Sequence, residues 1–394
     1  VLLRRPTGCR VISVTVSSAA VLLLAACGGS GPADEPPPAA AVPAAPAGGP
    51  LDLSGACPAT VVMQQDWQPQ ADHGAMYGLV GPDRTIDADA KSVRGSLVAQ
   101  GVDTGVDIEV RPGGANTGFQ PVPALMHLDE SIVLGTVNSD VGIAAAATQP
   151  TVAVVSQLTT SPLMFMWDPA SHPGATTLRE VAASGVPVVT SDAVVTALLA
   201  GQGIITPDQV DTSFDGTPAR FVSDPRILQQ GLVTSEPYIY EHEVAEWSRP
   251  VGHQKLADYG YSVYPSPLSV RADRLEELRP CLAKLVPIMQ RAQLDYLADP
   301  GRTNALIVEL VEAYQTGWTY SLDVADYAVR TLQEQGLVTD DPGSGVFGQF
   351  DPARMQQVAA TFGGLLQAQG VITDVPDPES LYTNEFLDPS IRMD

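Results

Sequence analysis

Short apolar runs alternate with helix-forming segments along residues 57–270. The runs predict strands at residues 61–65, 106–110, 131–137, 151–155, 163–166 and 187–189. Helix signals follow several of them: residues 73–80, the Ala-rich segment after Asp140, a capping box at Thr177 to Glu180, and Ser191-Asp192 before an apolar stretch. Strands and helices in this order are typical of a mostly parallel sheet flanked by helices.

Beyond residue 270 the pattern becomes helical. Apolar residues at three- and four-residue steps predict a helix over residues 275–289, which Pro280 and Pro287 are expected to bend or interrupt. Further helices are predicted at residues 303–314, 322–335 and 352–369. Residues 57–394 are too many for one ordinary core, so we predict an α/β protein with two lobes. We assign residues 57–155 to lobe I, 156–266 to lobe II, and 267–394 to the second part of lobe I with the C-terminal helices.

The N-terminal residues have the pattern of an export signal. Three arginines precede an apolar run over residues 11–24, which ends in Leu-Ala-Ala-Cys at Cys27. This ending resembles a bacterial lipobox, so residues 1–26 are predicted to be a lipoprotein signal peptide and Cys27 to carry the lipid. The alternative is an ordinary secretory signal cleaved near Ala26. The Pro-, Ala- and Gly-rich residues 27–56 are predicted to form a tether.

Charge and cysteine content narrow the function further. Three of the 21 Lys and Arg residues and none of the 45 Asp and Glu residues lie in residues 1–26, so the remainder has a formal charge of −27. Such acidity excludes nucleic acid as a partner. Of the four cysteines, Cys9 lies in the predicted signal peptide and Cys27 is predicted to carry the lipid. Cys57 and Cys281 remain as a pair in an oxidising compartment, and we expect a disulfide between them. Two buried free thiols are the alternative.

Two motifs resemble those of a known family. Gln64 to Tyr77 reads QQDWQPQADHGAMY, and Gln229 to Glu241 reads QQGLVTSEPYIYE. They resemble the first-strand and second-lobe motifs of the NMT1/THI5-like binding proteins. The resemblance implies a type II periplasmic-binding-protein fold, in which hinge strands join two lobes and a ligand is held between them. Members bind thiamine pyrimidine precursors, and relatives bind sulfonates, nitrate or other small solutes. The polar residues 81–105 and the part after residue 340 depart from the family pattern.

The candidate site lies beyond the carboxyl ends of the strands, where open α/β sheets bind ligands. The predicted ligand-binding residues are Asp66, Trp67, His73, Tyr77, Gly113, Gly114, Asn138, Asp140, Trp167, Ser191, Glu236, Tyr238 and Tyr240. Aromatic faces suit a flat heteroaromatic ligand, and carboxylates accept hydrogen bonds from its amino groups. Each residue also has a structural alternative: a core aromatic, a helix cap, a turn glycine or, for Glu236, an interlobe salt bridge. Further candidates are Ser139, Asp192, Tyr259, Tyr261 and Tyr264.

These observations predict a solute-binding lipoprotein of an ABC importer. It is expected to be a monomer on the extracytoplasmic face of the cell membrane, with permease subunits as partners. No catalytic residue, metal or cofactor is expected. One alternative is an enzyme like the pyrimidine synthases of the same fold, although their cysteine-rich motif is absent between Cys57 and Cys281. Another is a surface binding or sensing protein that works without a transporter.

Overall fold

The computed structural model describes residues 42–393. The predicted signal peptide, the lipidation at Cys27 and residues 27–41 of the predicted tether lie outside the described residues. The strands are β1 Thr60–Gln64, β2 Thr85–Asp87, β3 Ser92–Ala99, β4 Val102–Arg111, β5 Ile132–Thr136, β6 Thr151–Val155, β7 Leu163–Trp167, β8 Val188–Val189, β9 Val210–Asp211, β10 Leu228–Leu232, β11 Gly252–Lys255 and β12 Leu268–Arg271.

The helices become longer towards the C-terminus. They are α1 Gly74–Gly78, α2 Val122–Leu128, α3 Ser139–Ala145, α4 Leu178–Ala182, α5 Ala193–Gly201, α6 Ala219–Ser223, α7 Glu236–Tyr238, α8 Leu275–Ala298, α9 Gly301–Tyr314, α10 Leu322–Glu334 and α11 Pro352–Ala368. The predicted capping box is present, because the Thr177 side chain accepts from the Glu180 amide and the Glu180 side chain reaches back to Thr177. None of the helices in residues 42–393 has the length and apolarity that crossing a bilayer requires.

The strands form two separate sheets, which define the two lobes. The first lobe holds a seven-stranded sheet in the order β2-β3-β4-β1-β5-β12-β6, and the second holds a five-stranded sheet in the order β11-β7-β10-β8-β9. The chain crosses to the second sheet between β6 and β7 and returns between β11 and β12. Both sheets are mixed rather than mostly parallel. Strands β1, β4 and β5 run parallel, while β2, β3 and β12 pair antiparallel with their neighbours.

The polar stretch at residues 81–105 forms consecutive antiparallel strands and is not an irregular insertion. It contributes β2, β3 and the start of β4 to the edge of the first sheet. Val93, Leu97 and Ala99 are buried on one face of β3, whereas Arg94, Ser96 and Val98 on the other face are more exposed. A period of two residues was therefore present in the sequence, although the high polar content of the solvent-facing positions hid it.

Helix α8 is continuous through both of its prolines, so of the predicted bend or interruption the interruption is wrong. Pro280 and Pro287 each lack the N–H that an interior helical residue donates. The helix persists because its apolar stripe, including Leu282, Leu285 and Met289, is fully buried in the core of the first lobe. Burial of such side chains contributes roughly 2 kcal/mol each, which offsets the missing hydrogen bonds.

The last part of the predicted tether packs against the first lobe. Ala44 bridges Asp103 at the start of β4, and the Leu53 amide donates to the Thr104 carbonyl at 2.9 Å. Leu53 is fully buried. The prediction of a tether up to residue 56 therefore extends too far, because Leu51 and Leu53 supply enough apolar surface to dock these residues on the sheet.

The predicted disulfide is confirmed. Cys57 and Cys281 are bonded, with 4.5 Å between their Cα atoms. Cys57 lies just before β1 and Cys281 lies in α8, so the bond joins two parts of the first lobe. The loop that it closes contains the whole second sheet.

Arg354 of α11 lies against both connections between the lobes. Its Nη2 donates to the carbonyls of Thr159 at 2.7 Å and Val263 at 2.8 Å, and its Nε donates to the Ser262 carbonyl at 3.0 Å. The guanidinium also stacks on the ring of Tyr264 at 3.8 Å. One side chain thereby holds the outgoing and the returning segment together.

Candidate functional site

A cavity of about 460 Å³ lies between the two lobes. Its walls come from the loop after β1, the segments after β5 and before β12, the start of α5 and the end of β10. These are carboxyl ends of strands and amino ends of helices, where backbone and side-chain polar groups converge. Such a volume is within the range that holds a small organic ligand.

Asp66 is fixed at the end of β1 by three side chains. Its Oδ1 lies 3.0 Å from Nε2 of His73 and accepts from Thr136 Oγ1 at 2.8 Å, and its Oδ2 accepts from Ser266 Oγ at 2.7 Å. Burial acts to raise the pKa of Asp66, but the interactions with His73 and the two hydroxyls outweigh it and lower the pKa. The carboxylate is therefore ionised and held in one orientation.

Three polar atoms near Asp66 are buried without a partner in residues 42–393. They are Nε1 of Trp67, Oε1 of Gln70 and Nδ1 of His73. All three residues line the cavity. Buried polar atoms are nearly always hydrogen-bonded, so these atoms have unused capacity on the cavity wall.

Asp72 connects the two lobes across the cavity. It follows the Asp66 loop in the first lobe and accepts from Thr234 Oγ1, which comes after β10, at 3.0 Å. Burial raises the pKa of Asp72 above its usual value.

Glu236 begins α7 on the opposite wall. Its Oε2 accepts from the Leu232 amide and from Ser235 Oγ, each at 2.7 Å. Burial raises the pKa of Glu236 to about 6. The hydrogen-bond donors to Glu236 are therefore a backbone amide and a hydroxyl. Glu236 does not form the interlobe salt bridge that was the structural alternative for it.

Two further carboxylates come from helix starts in different lobes. Asp140, in the first turn of α3, accepts from Tyr261 Oη and from the Val141 amide, each at 2.9 Å. Asp192 caps α5 and accepts from the amides of residues 194 and 195. Burial, with the charge of Asp192 as the second cause, raises the pKa of Asp140 to about 7. Burial also raises the pKa of Asp192. Each carboxyl group thus disfavours ionisation of the other.

Aromatic side chains cover one end of the cavity. Trp67 packs against Phe119, with ring centroids 6.1 Å apart, and edge-on against Trp318 at 6.4 Å. Phe119 is about half exposed, has a positive φ of 60° and lies at the mouth. Gly114 lies beside the Trp67 ring, where a Cβ would approach to 3.1 Å.

The structure brings eight of the thirteen predicted ligand-binding residues to the cavity. They are Asp66, Trp67, His73, Gly114, Asn138, Asp140, Ser191 and Glu236, and the further candidates Asp192 and Tyr261 join them. Asn138 does not cap α3 with its side chain, and instead accepts from the Ser266 amide at 2.8 Å.

Four predicted aromatic residues lie elsewhere, so their assignment is corrected. Tyr77 is fully buried in the first lobe and donates to Gln65 at 2.7 Å. Trp167 is buried in the core of the second lobe. Tyr240 is buried against Phe221 and Trp247, and Tyr238 packs against His242 outside the cavity. Large aromatic side chains are more often buried in a core than placed on a cavity wall. Their position near a strand end did not show on which side of the sheet each ring lies.

Gly113 supports the site without lining it. Its amide donates to the Trp67 carbonyl at 2.8 Å, and a Cβ there would lie 2.3 Å from the Gln65 carbonyl oxygen. Of the remaining candidates, Ser139 Oγ accepts from the Tyr264 amide, Tyr264 Oη accepts from the Asp351 amide, and Tyr259 bonds to Gln254. These three hold the segment before β12 and do not line the cavity.

Several residues that line the cavity were not predicted. They are Gln70, Asp72, Phe119, Thr136, Phe214 and Ser266, among others. Gln70 and Asp72 lie inside the first motif, which was a usable signal. Ser266 is 200 residues from Asp66, and only the return of the chain to the first lobe brings the two together.

Solved structures with the same architecture were found. A protein from Bordetella bronchiseptica RB50 is 14% identical, with a TM-score of 0.50 over 84% of this chain and 96% of that one. The periplasmic aliphatic sulphonate binding protein SsuA of Escherichia coli is 13% identical, with a TM-score of 0.52 over 82% and 92%. The chain has the fold of a type II periplasmic binding protein. The ligand-binding component of an ABC-type import system from Staphylococcus aureus, solved with zinc bound, has this fold too, at 12% identity and a TM-score of 0.50 over 84% and 99%.

Comparisons of the sequence with family models and with curated proteins found no match. These low identities show the binding-protein fold alone. Within residues 42–393, no group of three or more His, Cys, Asp or Glu side chains is arranged to hold a metal ion.

Proposed function

We propose that the protein is the extracytoplasmic solute-binding component of an ABC importer. The observation that supports this most directly is that Asp66 of one lobe and Glu236 of the other line one cavity. Each lobe supplies part of the wall, so a bound molecule contacts both. Such a molecule stabilises the closed arrangement by its differential affinity for it, and the permease recognises the closed shape.

The ligand that we propose is a small heteroaromatic molecule similar to the thiamine pyrimidine. Asp66 and Glu236 offer carboxylate oxygens to amino groups, and Trp67 offers a face for stacking. The two motifs that resemble the NMT1/THI5-like proteins support this finer assignment. Attachment through a lipid on Cys27, action as a monomer and docking on permease subunits complete the proposal.

A thermal-shift screen tests the binding function. The panel contains thiamine, its free aminopyrimidine, riboflavin-like compounds and sulfonates, and a compound that binds raises the Tm by mass action. Glu236→Gln and Trp67→Ala are expected to abolish the shift that wild type shows. Tyr238→Phe, which removes only a hydroxyl outside the cavity, is the control and should retain it.

If the two cavity variants keep the wild-type shift, the site assignment is wrong. Uptake of the binding compound should also be lost in cells without this protein. Unchanged uptake together with intact binding would favour the sensing alternative.

A further inference from the structure

The cavity wall is acidic on both sides. The described residues that line it include five carboxylates and neither Lys nor Arg, the carboxylates being Asp66, Asp72, Asp140, Asp192 and Glu236. Asp66 lies 3.0 Å from Nε2 of His73. The other four accept from neutral donors: hydroxyls of Thr234, Ser235 and Tyr261, and backbone amides. Buried carboxylates without a cation are costly unless something supplies positive charge.

A second, independent feature requires a hydrogen-bond donor. Gln70 is 4% exposed and lines the cavity, and its Oε1 has no partner within residues 42–393. A buried carbonyl oxygen left unpaired costs about 1–3 kcal/mol. No donor among the described residues reaches Gln70 Oε1, so the occupant of the cavity can supply this hydrogen bond.

The aromatic end of the cavity suits the same chemistry. Trp67 and Phe119 face the volume near Asp66, and Phe214 lies on the second-lobe side. A desolvated cation beside an aromatic face gains cation–π energy, most strongly with tryptophan. Carboxylates and aromatic faces around one small volume form the surroundings that an organic ammonium group prefers.

We propose that the occupant of the interlobe cavity is an organic cation that carries a protonated amine or a quaternary ammonium group, placed between the carboxylates of the two lobes. This inference rests on the proposed solute-binding function and restricts its ligand class. Anions such as sulfonates, the ligand class of the E. coli neighbour, face five carboxyl groups and neither Lys nor Arg here, so they are disfavoured. Burial raises the pKa values of Asp140 and Glu236, and a cation between the lobes would favour the ionised form of both carboxyl groups.

The test measures whether metabolites of one charge class stabilise the folded protein. A deproteinised extract of the source organism is separated by ion exchange into cationic, neutral and anionic fractions, and each fraction is added in a thermal-shift assay. The cationic fraction alone is expected to raise the Tm, and native mass spectrometry then identifies the bound mass. A shift with only the neutral or anionic fraction overturns the cation but leaves solute binding intact. No shift with any fraction refutes the proposed function itself.

Neutralising variants provide the second arm. Asp140→Asn combined with Asp192→Asn keeps acceptor oxygens in place and removes two ionisable carboxyl groups. The empty variant is expected to have a higher Tm than wild type, and its affinity for the active fraction should fall at least tenfold. The control is Asp168→Asn, which removes a buried second-lobe carboxylate that pairs with Arg249 outside the cavity. It should lower the Tm and keep the affinity. A double variant whose affinity stays within twofold of wild type overturns the proposal.

Discussion

Removing the disulfide between Cys57 and Cys281 should destabilise the protein strongly without changing ligand binding. The two cysteines are separated by 224 residues. On the chain-entropy model, a cross-link that closes a loop of this length lowers the entropy of the unfolded chain enough to contribute about 5 kcal/mol at 25 °C. That is a large fraction of the 5–15 kcal/mol that typical domains have.

Binding should persist because both sulfurs lie in the first lobe and neither residue lines the cavity. The bond therefore leaves the relative movement of the lobes free. The double variant Cys57→Ala, Cys281→Ala is compared with wild type by urea unfolding, and wild type treated with a reductant is the matched control. The reductant removes the cross-link while both side chains remain, so it separates chain entropy from packing at Cys281, which is fully buried.

A loss below about 1 kcal/mol in both samples would refute the entropic reasoning. A large loss in the alanine variant alone would assign the stabilisation to packing. Weaker binding in reduced wild type would contradict the view that the bond acts within one lobe.

Three further predictions concern the site and the hinge. Gly113→Ala should weaken binding at least tenfold in calorimetry, since its Cβ displaces the loop that carries Asp66, whereas Gly364→Ala has open space and should bind normally. The empty protein should gain stability from pH 7 to pH 5 in urea unfolding. Glu236 and Asp140 have raised pKa values, about 6 and about 7, so the stability they contribute is complete below pH 4 and is lost as the pH rises through these values. Arg354→Ala should speed hydrogen exchange in both interlobe connections and cost about 1–3 kcal/mol.

Each of these has a clear contradicting result. Normal binding by the Gly113 variant would show that the loop tolerates displacement. A Glu236→Gln variant with the same pH dependence as wild type would show that the Glu236 carboxyl group does not contribute to that dependence. Exchange that stays at the wild-type rate in the Arg354 variant would show that other contacts hold the two connections.

The sequence was sufficient for the two-lobe α/β class because apolar runs alternate with helix signals, but it did not reveal β2, β3 or the mixed pairing of the sheets. It also placed Asp66 and Glu236 at strand ends, and strand ends of this fold meet at the cavity. It was not sufficient for the aromatic residues. Trp167 ends β7 and Tyr240 comes after β10, yet both side chains are buried away from the cavity. The facing direction depends on packing partners that are distant in sequence.

Long-range partners explain the other differences. Ser266 and Thr136 orient Asp66 from 200 and 70 residues away, so no local pattern reveals them. The continuity of α8 likewise depends on its buried stripe, which overrides the local preference of two prolines.

The segment at Ala44 joins the first sheet near Asp103, at the opening residues of β4. Eight residues further along, the same strand ends at Arg111 beside the Asp66 loop, about 26 Å away at the rise of an extended chain. A surface linkage or fusion partner added upstream of residue 42 therefore meets the domain at the far end of this strand. Immobilising the protein by that end should leave the entrance beside Phe119 open to the surrounding solution.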